Sequence, residues 1–343
     1  MKKLLNTLYV TTPETYLALD GENVVVLKEE ETMLRLPLHT LENICYFGYK
    51  GASPALMGAC ANHGIRLSFL TPNGRFLAAA CGENRGNVLL RKQQYRISDD
   101  EAESAKIARC FLFGKLYNSR WVLERATRDH PLQVDAERLK AVSASLLSLL
   151  PALMDCADLG ELRGMEGSAA EQYFGCFNEL ILQNKGDFRF SERTRRPPMD
   201  NLNALLSFAY TLLGNDCAAA LEGVGLDPYV GFLHRDRPGR ISLALDLMEE
   251  LRSVFADRFV LYLINNRMLT KKDFVQKENG AVLLTDDARK AMLAAYQERK
   301  QELITHPFLE EKLPWGLVPH TQALLLARFL RGDLDTYPPF LWK

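Results

Sequence analysis

The chain has 343 residues, 47% of them hydrophobic, and a formal net charge of −1. This length exceeds that of a typical single domain and predicts two domains, each with enough apolar side chains for a core. The near-neutral charge excludes an overall positive field, so that a site for nucleic acid has to be a local basic patch. No segment approaches the ~20 apolar residues of a membrane span, and we expect a cytoplasmic protein without a membrane partner.

Residues 1–95 have the pattern of a β-rich domain. Turn signals such as DGEN at 20–23 and TPNG at 71–74, where glycine allows a positive φ, separate seven predicted strands: 7–10, 16–19, 24–27, 33–36, 44–47, 67–70 and 76–79. One helix interrupts them, with Ser53 as N-cap, Pro54 as first residue and Gly64 as its stop. The spacing favours a small β-sandwich or paired sheets over a βαβ fold.

From Ser98 onward the pattern is helical. Ser98 and Glu101 have the spacing of a capping box, which satisfies orphan backbone donors at a helix start. Helices are predicted at 98–128, 134–150, 165–184, 201–222, 241–267, 286–303 and 320–331, with a small hairpin at 273–284. The predicted fold class is therefore α+β: a β-sandwich-like N-terminal domain, 1–95, and a larger all-α domain, 96–343.

The cysteines do not indicate a metal site or a disulfide framework. They are odd in number, form no CxxC pair and lie mostly among apolar neighbours, at positions 45, 60, 81, 110, 156, 176 and 217. This usage is typical of reduced core thiols in a cytosolic protein.

The helix predicted at 241–267 carries two acids on one side. Asp246 and Glu249 are three residues apart, which places their Cβ atoms about 5–6 Å from each other. A solvated acidic face is the plainer interpretation. The alternative is a bound divalent cation, because the helical neighbours of Asp246 are not basic and Glu249 has only Arg252 within reach.

Glu166 lies on the apolar side of another predicted helix, the side that also bears Ala169, Ala170, Tyr173 and Phe177. A carboxylate in that position has to be paired, hydrogen-bonded or metal-bound, because an isolated buried charge is costly. A second interpretation also stays open, in which Glu166 interacts with the backbone dipole at the helix N-terminus. The small residues around it leave room for a ligand or nucleotide.

His234 follows an apolar Gly-Phe-Leu segment and precedes a basic one. A single histidine is more often a surface residue or a hydrogen-bonded one than a ligand. Should it bind a metal together with carboxylates and water, the donor set would suit Mg²⁺ or Mn²⁺, whereas tetrahedral zinc would need more histidine or cysteine.

Two groups of arginines are candidates for contact with DNA phosphates: Arg193, Arg195 and Arg196 before a Pro-Pro pair, and Arg235, Arg237 and Arg240 around His234. Guanidinium groups match phosphate oxygens in a two-pronged geometry. Plain solvated charges are the alternative.

These segments together resemble a known family, the CRISPR-associated integrase and endonuclease of the adaptation step, CRISPR-associated protein one. The resemblance covers nearly the whole chain and is carried by NVLLRKQQYR, KLYNSRWVLER, GMEGSAAEQYF and GLDPYVGFLHRDRPGRISLALDLMEE. The last residues, WGLVPHTQALLLARFLRGDLDTYPPFLWK, look like the version that accompanies a type I-C-like system.

The resemblance implies a catalytic metal site of Glu166, His234 and Glu249 that binds Mg²⁺ or Mn²⁺. The family often has aspartate at the position matched to Glu249, and Asp246, one turn earlier, would assist or substitute as a ligand. Family members are homodimers, here through the N-terminal domain, and a small CRISPR-associated protein two bridges two dimers.

The reaction implied is phosphodiester transfer, in which the 3′-hydroxyl of a DNA spacer fragment attacks a phosphate at the edge of a CRISPR repeat. With water as the nucleophile, the same site is a nuclease. Two alternatives stay open: a DNA-binding scaffold of the adaptation complex without chemistry, and a repair nuclease for branched DNA.

Overall fold

The computed structural model describes residues 6–80, 82, 87–194 and 197–343. The predictions for Cys81, Arg195 and Arg196 therefore lie outside the described residues. The chain forms two compact units. The first comprises Met1–Gly86, Leu284–Glu302 and Pro314–Leu317, and the second comprises Asn87–Leu283, Leu303–Leu313 and Val318–Lys343.

The first unit contains all seven predicted strands in two sheets. In chain order its elements are β1 (Asn6–Val10), β2 (Thr15–Asp20), β3 (Asn23–Lys28), β4 (Glu31–Pro37), β5 (Leu41–Phe47), α1 (Pro54–His63), β6 (Arg66–Leu70) and β7 (Phe76–Ala80). One sheet is antiparallel with the order β2-β3-β4, and the other is mixed with the order β1-β5-β6-β7. Paired sheets were expected, and paired sheets are found.

The mixed sheet also contains a βαβ unit, which the sequence spacing argued against. Strands β5 and β6 are parallel and are joined by α1. A parallel connection needs a crossover, and α1 provides it by burying Leu56 and Cys60 completely. Its ends are those predicted: Ser53 Oγ accepts a hydrogen bond from Leu56 N at 3.2 Å, and Gly64 ends the helix with φ of 67°.

The second unit is mainly helical. The remaining helices in chain order are α2 (Val88–Ser98), α3 (Glu101–Asp129), α4 (Ala136–Asp155), α5 (Leu159–Gly175), α6 (Asn201–Val224), α7 (Ser242–Leu251), α8 (Arg258–Asn265), α9 (Asp286–Gln301) and α10 (Val318–Leu330), of which α9 belongs to the first unit. Short strands form two further pairs, β8 (Phe274–Gln276) with β9 (Val282–Leu284) and β10 (Leu303–Thr305) with β11 (Lys312–Pro314). The predicted α+β class and the predicted hairpin are confirmed.

The transition between the strand-rich and helical parts differs from the prediction. Residues 88–95 are helical, and Ser98 is the last residue of α2 rather than the N-cap of the next helix. Asp100 caps α3 instead, because its carboxylate accepts from Ala102 N at 2.9 Å and Glu103 N at 3.0 Å. Two good capping residues within three positions made the choice ambiguous from sequence.

Two other helices differ from their predicted bounds. Helix α5 begins at Leu159, where Asp158 accepts from Glu161 N at 2.7 Å, and it ends at Gly175. Glu166 is therefore in the middle of a helix, and a role at a helix N-terminus does not apply. The helix predicted at 241–267 is interrupted by a π-helical segment, Arg252–Asp257, between α7 and α8. Such π-bulges frequently occur at functional sites.

Helix α6 is long and apolar enough, by length and composition alone, to cross a membrane, which the sequence analysis did not expect. Its apolar window has a mean hydropathy of 1.3, and 67% of that window is buried inside the protein. This burial is typical of a core helix.

Candidate metal centre

Helices α3 and α7 approach each other closely at Gly114. A Cβ atom at Gly114 would lie 2.9 Å from the Cβ of Glu250 and 3.2 Å from the Cβ of Pro339. Real Cβ atoms do not come as close as the first of these distances, so glycine is needed there. The close packing brings the next residue of α3, Lys115, against Glu249 of α7.

A buried ionic cluster links α3, α5 and α7. The Nζ atom of Lys115 pairs with Oε1 of Glu166 and, at 2.7 Å, with Oε2 of Glu249. The other oxygen of Glu249 lies 2.8 Å from Nη2 of Arg252. One ammonium therefore lies between the two carboxylates that the family resemblance matched to metal ligands.

The solvated acidic face considered for α7 is wrong. Its polar residues are all buried, with no more than 2% of each residue exposed: Ser242, Asp246, Glu249 and Glu250. A helix that is buried on every side needs a partner for each charge. Glu249 has Lys115 and Arg252, and Asp246 has backbone amides and a histidine.

Glu249 is an anion at neutral pH. Burial on its own would raise the pKa of this carboxyl, but the positive charges of Arg252 and Lys115 outweigh burial and lower the pKa to about 2. A carboxylate that stays charged at low pH is suited to holding a cation.

Asp246 holds the backbone and side chain of residues 232–234. Its Oδ2 accepts from Phe232 N at 2.7 Å and Leu233 N at 3.0 Å. Its Oδ1 accepts from His234 N at 3.0 Å and lies 2.6 Å from His234 Nδ1. Gly231 makes the approach feasible, because a Cβ there would lie 2.7 Å from Asp246 Oδ2. In this arrangement Asp246 orients the histidine, and both of its oxygens are engaged.

Glu166 and His234 are the accessible members of the site. The side chain of Glu166 is 29% exposed and that of His234 is 20% exposed, whereas the side chain of Glu249 is 3% exposed. With Nδ1 of His234 directed at Asp246, Nε2 is the nitrogen left for another partner. A substrate would therefore reach the site from the side of Glu166 and His234.

The predicted arginines fall into different surroundings. Arg193 is half-buried, and its guanidinium donates to Thr194 O at 2.7 Å, Asn203 Oδ1 at 2.6 Å and Ser207 Oγ at 3.2 Å. Arg235 and Arg237 are exposed and Arg240 is half-buried. Among the described residues, these last three form no ion pair.

Sequence reasoning missed Lys115, Asn118 and Glu250. Asn118 donates to Glu250 O at 2.6 Å and to Phe340 O at 2.7 Å, and the carboxylate of Glu250 accepts from Phe340 N at 2.7 Å. The available signal was a lysine and an asparagine among apolar residues of one helix. It does not reveal a partner far away in the chain.

The side chains of Glu166, His234 and Glu249 carry donor atoms of the kind that a hard divalent ion binds. Two carboxylates and an imidazole are ligands that Mg²⁺ and Mn²⁺ accept, and the buried Oε2 of Glu249 already has a cation, the Lys115 ammonium, at 2.7 Å. As they stand, no three His, Cys, Asp or Glu side chains in the described part of the chain are grouped closely enough to hold a metal. The position between Glu166 and Glu249 is taken by the Lys115 ammonium.

Comparison with known proteins identifies close relatives. The family model described as "CRISPR associated protein Cas1" matches residues 8–298. The chain is 54% identical to "CRISPR-associated endonuclease Cas1 2" of Rhodospirillum rubrum over 349 residues and 50% identical to "CRISPR-associated endonuclease Cas1 1" of Chlorobaculum tepidum over 343 residues. Each alignment covers 100% of both chains.

Solved structures share the fold at lower identity. A casposase bound to its integration product matches with a TM-score of 0.84 at 24% identity and covers 99% of this chain and 95% of its own. A chain of a "Cas6-RT-Cas1--Cas2 complex" matches with a TM-score of 0.82 at 23% identity and covers 100% of this chain and 36% of its own. At these identities the likeness establishes the fold alone.

Proposed function

Because the chain belongs to the Cas1 family of CRISPR-associated proteins, we propose that it is a metal-dependent DNA endonuclease and integrase that inserts short DNA spacers into a repeat array. The observation that carries this proposal is the convergence of Glu166 and Glu249 on one cation. Relatives named as endonucleases at 50% and 54% identity over the full chain support it.

Glu166, Glu249 and Nε2 of His234 would hold Mg²⁺ or Mn²⁺. The ion would lower the pKa of the attacking hydroxyl and stabilise charge on the phosphate. Because Nδ1 of His234 faces Asp246, Nε2 would be the ligand atom. Arg235, Arg237 and Arg240, which lie in the loop after His234, would hold the DNA backbone without reading its bases.

The partners that we propose are those expected for a member of the Cas1 family. We propose DNA as the substrate, in the form of a spacer fragment and a repeat, and a small Cas2 protein as the bridge between two Cas1 homodimers in the cytoplasm. The complex named above, which contains both Cas1 and Cas2, supports the Cas2 part. The type I-C-like subtype stays a prediction from the C-terminal segment.

A joining assay tests the function. Purified protein with its Cas2 partner, Mn²⁺ or Mg²⁺, a fragment with 3′-hydroxyl ends and supercoiled repeat DNA should give joined product. Glu166→Gln and His234→Ala should abolish joining while the melting temperature stays within a few degrees of wild type. Glu171→Gln is the matched control, because it changes an exposed glutamate of the same helix, α5.

Two other functions give different results. A scaffold without chemistry would bind DNA with a steep salt dependence, and its complexes would show no joining or cleavage that depends on Glu166. A repair nuclease would cleave branched junctions in preference to joining fragments. The names of the relatives favour neither.

A further inference from the structure

Lys115 occupies the centre of the proposed metal site. Its ammonium lies between Glu166 and Glu249, and its side chain is 9% exposed. We infer that Lys115 is a built-in cation of this site: it holds the two carboxylates together when no divalent ion is bound, and its ammonium leaves that position when an ion binds. This inference rests on the proposed function.

Charge balance explains why a cation has to be present. Glu166 and Glu249 carry two negative charges, and Lys115 and Arg252 carry two positive charges. Without Lys115, two adjacent carboxylates of low exposure would have only Arg252 to compensate them. Like charges at short range in a poorly solvated site repel strongly. A divalent ion supplies two positive charges, one more than the ammonium, and would also compensate the carboxylates.

A small cavity adjoins Lys115. A pocket next to the site is lined by Lys115, Tyr173, Arg252, Ser253 and Asp257, with the small residues Ala169 and Ala170 on one wall. The Oγ atom of Ser253 is buried and has no hydrogen-bond partner within the described ranges. Asp257, which is 1% exposed, contributes a carboxyl group that accepts from the Tyr210 hydroxyl. Two oxygen-bearing side chains, Ser253 and Asp257, therefore lie with Lys115 around this cavity.

The consequence for metal binding is competition. The ammonium is tethered to α3, so its effective concentration at the carboxylates is high, and a metal ion binds only to the fraction of molecules in which it has moved away. Removal of the ammonium should therefore strengthen metal binding. A purely structural lysine would have the opposite effect, because its loss would loosen the ligands.

Metal affinity and thermal stability of the full chain test the inference. Lys115→Met keeps the length of the side chain and removes the charge. We expect Lys115→Met to bind Mn²⁺ at least about tenfold more tightly than wild type, measured by electron paramagnetic resonance of free Mn²⁺. In EDTA its melting temperature should be below that of wild type, and Mn²⁺ should restore it.

The matched control is Lys106→Met. Lys106 lies on the same helix, is 53% exposed and pairs with Glu103, three residues away. Lys106→Met removes one positive charge from α3, as Lys115→Met does, but at a position away from the site. Mn²⁺ affinity and the melting temperature in EDTA should equal those of wild type.

A double variant covers the case in which Lys115→Met does not fold without metal. Lys115→Met/Glu166→Gln removes one charge of each sign, so its melting temperature in EDTA should recover towards wild type. Its Mn²⁺ affinity should lose the gain seen in Lys115→Met, because one ligand is gone.

The outcomes separate the inference from the proposed function. A Lys115→Met protein that binds Mn²⁺ no more tightly than wild type overturns the inference, and so does a double variant that is no more stable in EDTA than the single one. If Glu166→Gln and His234→Ala join fragments as well as wild type does, the proposed function fails instead. If neither wild type nor Lys115→Met binds Mn²⁺, both fail.

Discussion

Asp246 holds His234 by two atoms at once, accepting its backbone N–H at 3.0 Å and lying 2.6 Å from its ring Nδ1. One buried carboxylate thus sets both the position of the loop and the orientation of the imidazole. The acid that the sequence suggested as an assisting ligand acts in this structure on the histidine. Such partners of a ligating histidine fix its tautomer and raise its basicity.

Asp246→Asn should weaken metal binding about tenfold to hundredfold. The amide group would place N–H donors against the amides of residues 232–234, which now donate to the carboxylate. The free energy of unfolding should also fall by about 2–3 kcal/mol. Mn²⁺ titration and urea unfolding measure the two effects. Asp236→Asn, in the exposed part of the same loop, should change neither, and an unchanged Mn²⁺ affinity in Asp246→Asn would exclude the orienting role.

Asn118→Ala should lower the free energy of unfolding by about 3 kcal/mol or more, because it leaves several buried backbone groups unpaired. Asn118 is fully buried, donates to Glu250 O and Phe340 O, and accepts from Trp342 N at 2.8 Å. Urea unfolding measures the loss. Asn266→Ala is the control, since this exposed amide, directly after the last residue of α8, donates to Tyr262 O four residues earlier. Equal losses in the two variants would contradict the anchoring of the C-terminal segment by Asn118.

The buried carboxyl of Glu250 should make stability depend on pH. Burial raises its pKa from 4.5 to about 7, against hydrogen bonds from Tyr337, Phe340 N and Gln322 that lower it. A raised folded-state pKa contributes stability that is fully present below pH 4.5 and is lost as the pH rises through about 7. The lowered pKa of Glu249 has the opposite effect on stability. Its contribution is present above pH 4.5 and is lost as the pH falls below that value.

Between pH 4.5 and 8, wild type should therefore lose about 3 kcal/mol of unfolding free energy relative to Glu250→Gln. Urea unfolding in EDTA at several pH values gives the comparison. The exposed Glu171→Gln variant should keep the wild-type pH dependence. Parallel pH profiles for wild type and Glu250→Gln would show that this carboxyl is not the group responsible.

The arginines should separate into two classes. Arg235→Ala and Arg237→Ala should each weaken DNA binding and reduce the slope of log affinity against log salt by about one. Arg193→Ala should instead lower the melting temperature, because its guanidinium bonds Asn203 and Ser207 and lies 5.3 Å from the ring centroid of Tyr210. Fluorescence anisotropy at several salt concentrations and thermal melts distinguish them. If Arg193→Ala changed the salt slope and Arg235→Ala and Arg237→Ala did not, the assignment of the arginines to the two classes would be reversed.

Local elements were predictable where their causes lie within a few residues. The seven strands and the helix α1, from its Ser53 cap to Gly64, follow from turn residues and capping groups next to one another. The prediction failed where two local signals competed, as with Ser98 and Asp100 at the start of α3. It also failed for the π-helical segment Arg252–Asp257, which continues the helical periodicity without a distinct signal.

The burial of α7 could not be predicted. Its acids have the spacing of a solvated face, and that interpretation was the plainer one. Burial depends on what the rest of the chain brings against the helix, and here an ammonium, a guanidinium and three backbone amides compensate the acids. The grouping of Glu166, His234 and Glu249 came from the family resemblance and not from spacing.

The sequence alone determined the elements, the kinds of side chain available for chemistry and, through the resemblance, the family. Tertiary structure decided which charges meet. Lys115 and Glu166 are 51 residues apart, and Asn118 reaches Phe340 across 222 residues. The contact of Lys115 with Glu249 is possible because α3 and α7 pack closely at Gly114. The periodicity of apolar residues describes one helix or strand at a time. It therefore gives no information on the distance between side chains of different elements.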